Sequence, residues 1–119
     1  MIVVFGLKTC DSCRKARRWL DDRSLGHRFV ELREDGLAAD TLANWIDALG
    51  WERLLNRRST SWRQLSEADR DGLDAERALA LMLDRPALIK RPVVDLNGRI
   101  LVGFDETVQQ AIAASGETA

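Results

Sequence analysis

The stretch IVVFGLKTCDSCRKARRWLDDRSLGHRFVEL, residues 2–32, decides how this chain folds. It opens on a β-branched and aromatic run, Ile2–Phe5, that stops at Gly6 and reads as a buried strand. Asp11 or Ser12 is suited to cap the helix that follows, in which Cys13, Ala16 and Leu20 recur at helical spacing. Gly26 punctuates, and His27–Leu32 reads as a second strand with Phe29 alternating against charged neighbours. Strand, helix and strand within about 30 residues make a βαβ unit, so these two strands are expected to lie parallel.

Outward from that unit the chain turns helical. Asp40 begins DTLANWIDALG, in which Leu42, Trp45, Ile46 and Leu49 form an i, i+3, i+4, i+7 stripe that Gly50 stops. Trp51–Leu55 reads as a further turn of helix, residues 61–70 as a short helix or turn, and Asp74–Arg85 as a helix ended by Pro86. Trp45 and Met82 are assigned to the core. Strand signals then return: Arg91–Leu96, the turn Asn97-Gly98 and Arg99–Phe104 spell a hairpin, because Asn-Gly adopts positive φ angles at little cost. Asp105 caps a last helix from Glu106 to about Ala114. The expectation is an α/β chain with a mixed four-stranded sheet, βαβ plus ββα. It forms one domain over residues 1–119, with a helical insertion at about 38–86.

With 119 residues the chain is long enough for one domain with a real core. Its 45% apolar and 31% charged content is that of a soluble globular protein. No apolar run approaches the roughly 20 residues of a membrane span, and no secretory signal is evident, so a cytoplasmic location and no membrane contact are expected. Net charge is −1, from 18 basic and 19 acidic residues, which argues against direct nucleic-acid binding. The cations of Arg14–Arg18 are read mostly as a solvated helix face.

Cys10 and Cys13, the two cysteines of the chain, form a CxxC between a strand and a helix. A disulfide across so short a loop constrains the unfolded chain little, which makes stability a poor reason for the pair. At a helix start, backbone N–H groups and the helix dipole favour an anion, and the thiolate is the reactive form of cysteine. Cys10 is then the exposed nucleophile, and Cys13, one turn on, can resolve a mixed disulfide. Lys8 and Arg14 are placed to add positive potential, partly opposed by Asp11. A closed zinc site needs about four ligands; there is no second CxxC and His27 is the lone histidine, so no metal is expected. Pro92 is a second clue. Thioredoxin-like folds carry a cis proline at the start of the third strand, facing the cysteine motif, which would bring Lys90 or Arg91 beside Cys10.

Read together, VVFGLKTCDSCRKARRWL, GWERLLNRRSTSW, ALALMLDRPALIKRPVV and GRILVGFDE make the chain resemble the ArsC-like family: arsenate reductases and the Spx and YffB branches. Residues 51–63 and 79–94 are most similar to the YffB branch. The resemblance implies a thioredoxin-like fold with a helical insertion. It also implies that Cys10 matches the family's nucleophile and Arg91 the arginine that contacts that nucleophile or binds an oxyanion. Arg58 matches the arginine of the middle segment, with Arg57 adjacent as the alternative. Substrate contacts are expected from Arg58, Arg91, Lys8 and Pro92. The chain departs from arsenate reductases at Val102-Gly103-Phe104, where those proteins carry a further arginine in an Arg-Pro pair. Cys13 is a thiol that many YffB-like chains lack and the Spx branch has.

The reading that results is a thiol-disulfide oxidoreductase with no bound cofactor. Its partners are a small thiol or oxyanion substrate or a protein disulfide, and the resemblance implies glutathione as co-substrate. Arsenate reduction is the first alternative. A redox-sensing, Spx-like regulator docking on RNA polymerase is the second.

Overall fold

Four strands hydrogen-bond in the order β2-β1-β3-β4, where β1 is Ile2–Gly6, β2 His27–Glu31, β3 Val93–Leu96 and β4 Arg99–Val102. The structure is a computed structural model, described here for residues 1–116. β1 and β2 are parallel, with Ile2 opposite His27 and Gly6 opposite Glu31. β3 runs antiparallel to both β1 and β4. The sheet is therefore mixed, as the βαβ and ββα patterns require, and this fold class is thioredoxin-like.

The chain divides into two compact units. The first comprises Met1–Gly36 and the chain from Arg91 onward. Its core is built from Ile2 and Val4 of β1, Val94 and Leu96 of β3, Leu20 of α1 (Asp11–Asp22), and Val108 and Ile112 of the C-terminal helix Glu106–Ala114. Trp19 and Phe104 extend it with an edge-to-face contact, ring centroids 5.4 Å apart. These positions match the periods expected of a strand and an amphipathic helix, so burial follows from spacing.

The second unit, Leu37–Lys90, is helical. It contains α2 (Ala39–Leu49), α3 (Trp51–Leu54), α4 (Thr60–Arg63), α5 (Glu67–Arg70) and α6 (Ala75–Asp84), then a 3-10 turn at Pro86–Leu88. Leu42, Trp45, Leu54, Ala78, Met82 and Leu88 are buried. Ser59, Ser66 and Asp74 cap α4, α5 and α6 through their side chains. The C-terminal helix of the first unit, α7, is capped by Asp105, whose Oδ1 accepts from Val108 N–H at 3.1 Å.

Several boundaries differ from the sequence expectation, each for a local reason. The cap of α1 is Cys10, with extended φ −81° and ψ 124°, rather than Asp11 or Ser12. α2 starts at Ala39, one residue before the expected start at Asp40, and Asp40 lies in its first turn, where a carboxylate suits the helix dipole. β3 starts at Val93, because Pro92 has no N–H to give the ladder. β4 stops at Val102: Gly103 N–H still reaches Pro92 O at 2.8 Å, in register with the ladder, but Pro92 has no N–H to return and Gly103 turns to φ +85°. The hairpin is as the Asn-Gly signal requires, with φ of 54° at Asn97 and 99° at Gly98. No helix among the described residues is long and apolar enough to cross a membrane.

Candidate functional site

Cys10 lies at the junction of the β1–α1 turn and α1, half-buried, and is a free thiol. Its N–H donates to Leu7 O at 3.0 Å and its carbonyl accepts from Arg14 N–H at 3.0 Å, so the backbone is held on both sides of the side chain. Occupying the cap position puts its sulfur where a capping oxygen would sit. It makes no capping hydrogen bond within ordinary limits. The Cys13 N–H nevertheless acts on the sulfur in the sense that favours the anion.

Partial burial pushes the Cys10 thiol up. The Cys13 N–H, a hydrogen bond from Arg91, one from the Cys13 thiol and the Arg91 charge together outweigh it and hold Cys10 below the ordinary thiol value. Cys13 behaves oppositely. It is fully buried, and burial is the main reason its thiol is pushed up to about 12. Leu7 N–H and the Arg91 charge act against that rise, while the hydrogen bond and charge of Cys10 add to it. The two sulfurs thus share a site but differ in acidity, which is the arrangement an attacking and a waiting thiol require.

Gly6 makes room for this pair. A Cβ built on it would lie 2.3 Å from Cys13 Sγ, so the end of β1 has to be glycine for Cys13 to seat there. Arg91 stands immediately before the cis Arg91–Pro92 peptide, and Pro92 itself is buried. Lys90 is exposed and belongs to the second unit, where its N–H donates to Leu54 O.

The other residues singled out in the sequence are placed as follows. Lys8 is exposed and its ammonium pairs with Glu34, so its charge is spent there. Arg14 is exposed. Arg57 and Arg58 lie in the second unit. The Arg57 guanidinium sits 5.8 Å from both the Trp51 and Trp62 ring centroids, whereas Arg58 is exposed with its backbone N–H on Asn56 Oδ1. A cavity of about 370 Å³ opens between α1 and α7, lined by Ser12, Lys15, Trp19, Phe104, Asp105 and Gln109. Among the described residues no group of three or more His, Cys, Asp or Glu side chains could hold a metal ion.

Sequence reasoning missed Glu31. The residue is 7% exposed, and its carboxylate accepts from Lys8 N–H at 2.8 Å, Arg33 N–H at 2.7 Å and Glu34 N–H at 3.3 Å. In the sequence it is one more charged residue of an alternating strand. The one signal that could have marked it is an acid at the C-terminal end of β2 followed by a polar turn.

Residues 5–112 match the model of the ArsC family. The chain belongs to the ArsC family. Among solved structures, the YffB (PA3664) protein is 40% identical, covers 94% of this chain and 98% of its own, and superimposes with a TM-score of 0.89. An arsenate reductase (ArsC) related protein from Brucella melitensis is 39% identical over 92% of each chain, with a TM-score of 0.76. The global transcriptional regulator Spx of Staphylococcus aureus is 27% identical over 89% of this chain and 82% of Spx. The relatives thus include a protein described as related to an arsenate reductase and one described as a regulator.

Proposed function

We propose that this ArsC-family chain is a cytosolic thiol-disulfide reductase that uses Cys10 as nucleophile and Cys13 as resolving thiol. The observation that carries the reading is a free, half-buried Cys10 at the cap of a helix, with the buried Cys13 thiol one turn on and Arg91 acting on the Cys10 sulfur in the sense that favours its anion. That arrangement favours a thiolate, and packing alone has no need of it.

The steps balance as follows. The Cys10 thiolate attacks one sulfur of a substrate disulfide, forming a mixed disulfide and expelling the other half as a thiolate, which takes a proton from water. Cys13 gives up its proton and attacks the Cys10 sulfur, forming the Cys10–Cys13 disulfide and releasing the second half as a thiol. Two electrons have passed from the cysteine pair to the substrate. Two molecules of a small thiol of the glutathione class return them, leaving as their own disulfide. Once Cys10 is bonded to substrate it no longer carries charge, so the part of the Cys13 elevation due to the Cys10 anion disappears. Burial, the larger cause of the elevation, remains.

Arg91, a planar cation, also serves as the contact for an anionic part of the substrate, and Arg58 is assigned the same duty from its match to the family pattern. The Arg57 guanidinium near Trp51 and Trp62 supports choosing Arg58 of the two. Pro92, directly after Arg91, and Lys8, two residues before Cys10, are assigned to the substrate site by their places in the sequence.

Two other readings keep specific support. The Brucella relative, by its description, favours an oxyanion substrate at the same thiolate. The Spx relative favours a protein-docking regulator whose surface changes with the state of Cys10 and Cys13.

The deciding experiment supplies the reduced protein with a small mixed disulfide and a glutathione-type thiol, and follows thiol release. Turnover that vanishes in Cys10→Ser supports the reductase. No turnover with any disulfide, together with arsenate reduction or redox-dependent retention on RNA polymerase, would transfer the assignment to one of the alternatives.

A further inference from the structure

We propose that Glu31 is a positioning residue for Cys10: its buried carboxylate fixes the Leu7–Lys8 peptide, and that peptide holds the backbone of Cys10. The proposal rests on the reading of Cys10 as the nucleophile.

One peptide unit links the two residues. The Lys8 N–H donates to Glu31 Oε2 at 2.8 Å, and the carbonyl of the same unit, Leu7 O, accepts from Cys10 N–H at 3.0 Å. Leu7 N–H, on the preceding peptide, faces the Cys13 sulfur. A carboxylate on the N–H side of a peptide draws that hydrogen and strengthens the carbonyl as an acceptor. Both sulfurs therefore take their position from a turn whose orientation Glu31 sets.

Glu31 is itself firmly held. It faces Gly6 across the parallel pair, and Leu32 N–H donates to Gly6 O at 2.9 Å. Its own N–H goes to Asp35 Oδ2 and its own carbonyl accepts from Asp35 N–H, both at 2.8 Å. Its second carboxylate oxygen accepts from Arg33 and Glu34. The charged groups around it are Lys8, Arg33, Glu34 and Asp35, and Lys8 is paired with Glu34. Burial pushes the Glu31 carboxyl up, but the N–H bonds from Lys8, Arg33 and Glu34, with the Lys8 charge, hold it below the usual carboxylate range. Three donors would suffice to satisfy a buried acid. What makes Glu31 more than a satisfied acid is that one of them lies 23 residues away, in the turn that leads into the nucleophile.

The sign of the effect separates positioning from charge. Removing a nearby anion by itself lowers the pH at which Cys10 ionises. Loosening the turn withdraws Cys10 from Cys13 N–H and Arg91 and raises it. In Glu31→Gln an amide NH2 must face at least one backbone N–H, so one of the bonds is lost. In Glu31→Asp the charge stays but the reach shortens by one methylene. Both variants should raise the midpoint of the Cys10 thiolate absorbance by about half a pH unit or more, slowing its alkylation at pH 7 by about threefold. A midpoint that falls or stays in both would overturn the proposal.

A second measurement needs no variant. In the parent protein, the amide proton resonance of Lys8 should shift with pH in step with the ionisation of the Glu31 carboxyl. A Lys8 amide indifferent to that ionisation would overturn the proposal even if the variants failed to fold. A Cys10 that titrated as a free thiol in the parent would instead count against the thiol chemistry, and the Lys8 resonance would still decide the role of Glu31.

Discussion

Replacing Gly6 with alanine should destabilise the first unit by driving a methyl group into Cys13. The new Cβ would sit 2.3 Å from Cys13 Sγ, 3.3 Å from Cys13 Cβ and 3.5 Å from Phe29 Cε1. Carbon and sulfur normally approach no closer than about 3.5 Å, so roughly an ångström of overlap has to be absorbed. Cys13 is fully buried and anchored in a helix, so it cannot swing aside. Overpacking of this kind costs about 1–3 kcal/mol, occasionally more. The gain from replacing glycine in a strand, about 0.5–1 kcal/mol, offsets only part of it. The net expectation is a loss of about 1–2 kcal/mol, measured by urea unfolding. The decisive comparison is Gly6→Ala in a Cys13→Ala background, where the sulfur is gone and only the 3.3 Å contact with the residue 13 Cβ and the 3.5 Å contact with Phe29 Cε1 remain. There the cost should shrink by about 1 kcal/mol, a coupling that a double-mutant cycle resolves. Equal costs in the two backgrounds would refute the claim that Gly6 exists to seat Cys13.

Other outcomes follow from the same geometry. Arg91→Ala removes a hydrogen bond and a charge from the Cys10 sulfur, and thiolate absorbance should show its ionisation moving to higher pH by about one unit. Because the Cys10 thiol is held below its ordinary value in the folded chain, its anion favours folding above the free-thiol value. That contribution is lost as pH falls through the lowered folded value. Melting temperatures of the parent should therefore fall relative to Cys10→Ser across that window and run parallel below it. Asp105→Ala removes the cap on Val108 N–H and should cost about 1 kcal/mol in urea unfolding, leaving the Cys10 titration where it was. Cys13→Ser should still form the mixed disulfide but release it slowly unless a small thiol is supplied, seen as a trapped adduct by mass spectrometry.

How far the sequence could be read depended on whether a period carried the signal. Ile2 and Val4, Leu20, Trp45 and Met82 were legible because strand and helix spacing announce which side is buried. The hairpin was legible because Asn97-Gly98 has few other uses. The pairing of Arg91 with Cys10 came from the family pattern around Pro92, since 81 residues of chain separate them and no local period connects them. Two features stayed hidden. Cysteine is not a usual capping residue, so Asp11 and Ser12 were the natural choices for the start of α1. Glu31 carries its message in the direction of a carboxylate, which alternation along a strand does not record. Lys8, read as a cation for the site, is taken up by Glu34, another long-range pairing.

Helix α1 begins on the proposed nucleophile, and that ties local order to chemical state. A serine cap is permanent, whereas a sulfur at that position is a good acceptor only as an anion. Each time Cys10 is bonded to another sulfur, the Cys13 N–H loses the charge it faces and the first turn is held less firmly. In the proposed reaction the opening of the helix thus records whether Cys10 is a thiolate or a mixed disulfide. Hydrogen exchange at a single amide, that of Cys13, would read out this record without any substrate being identified.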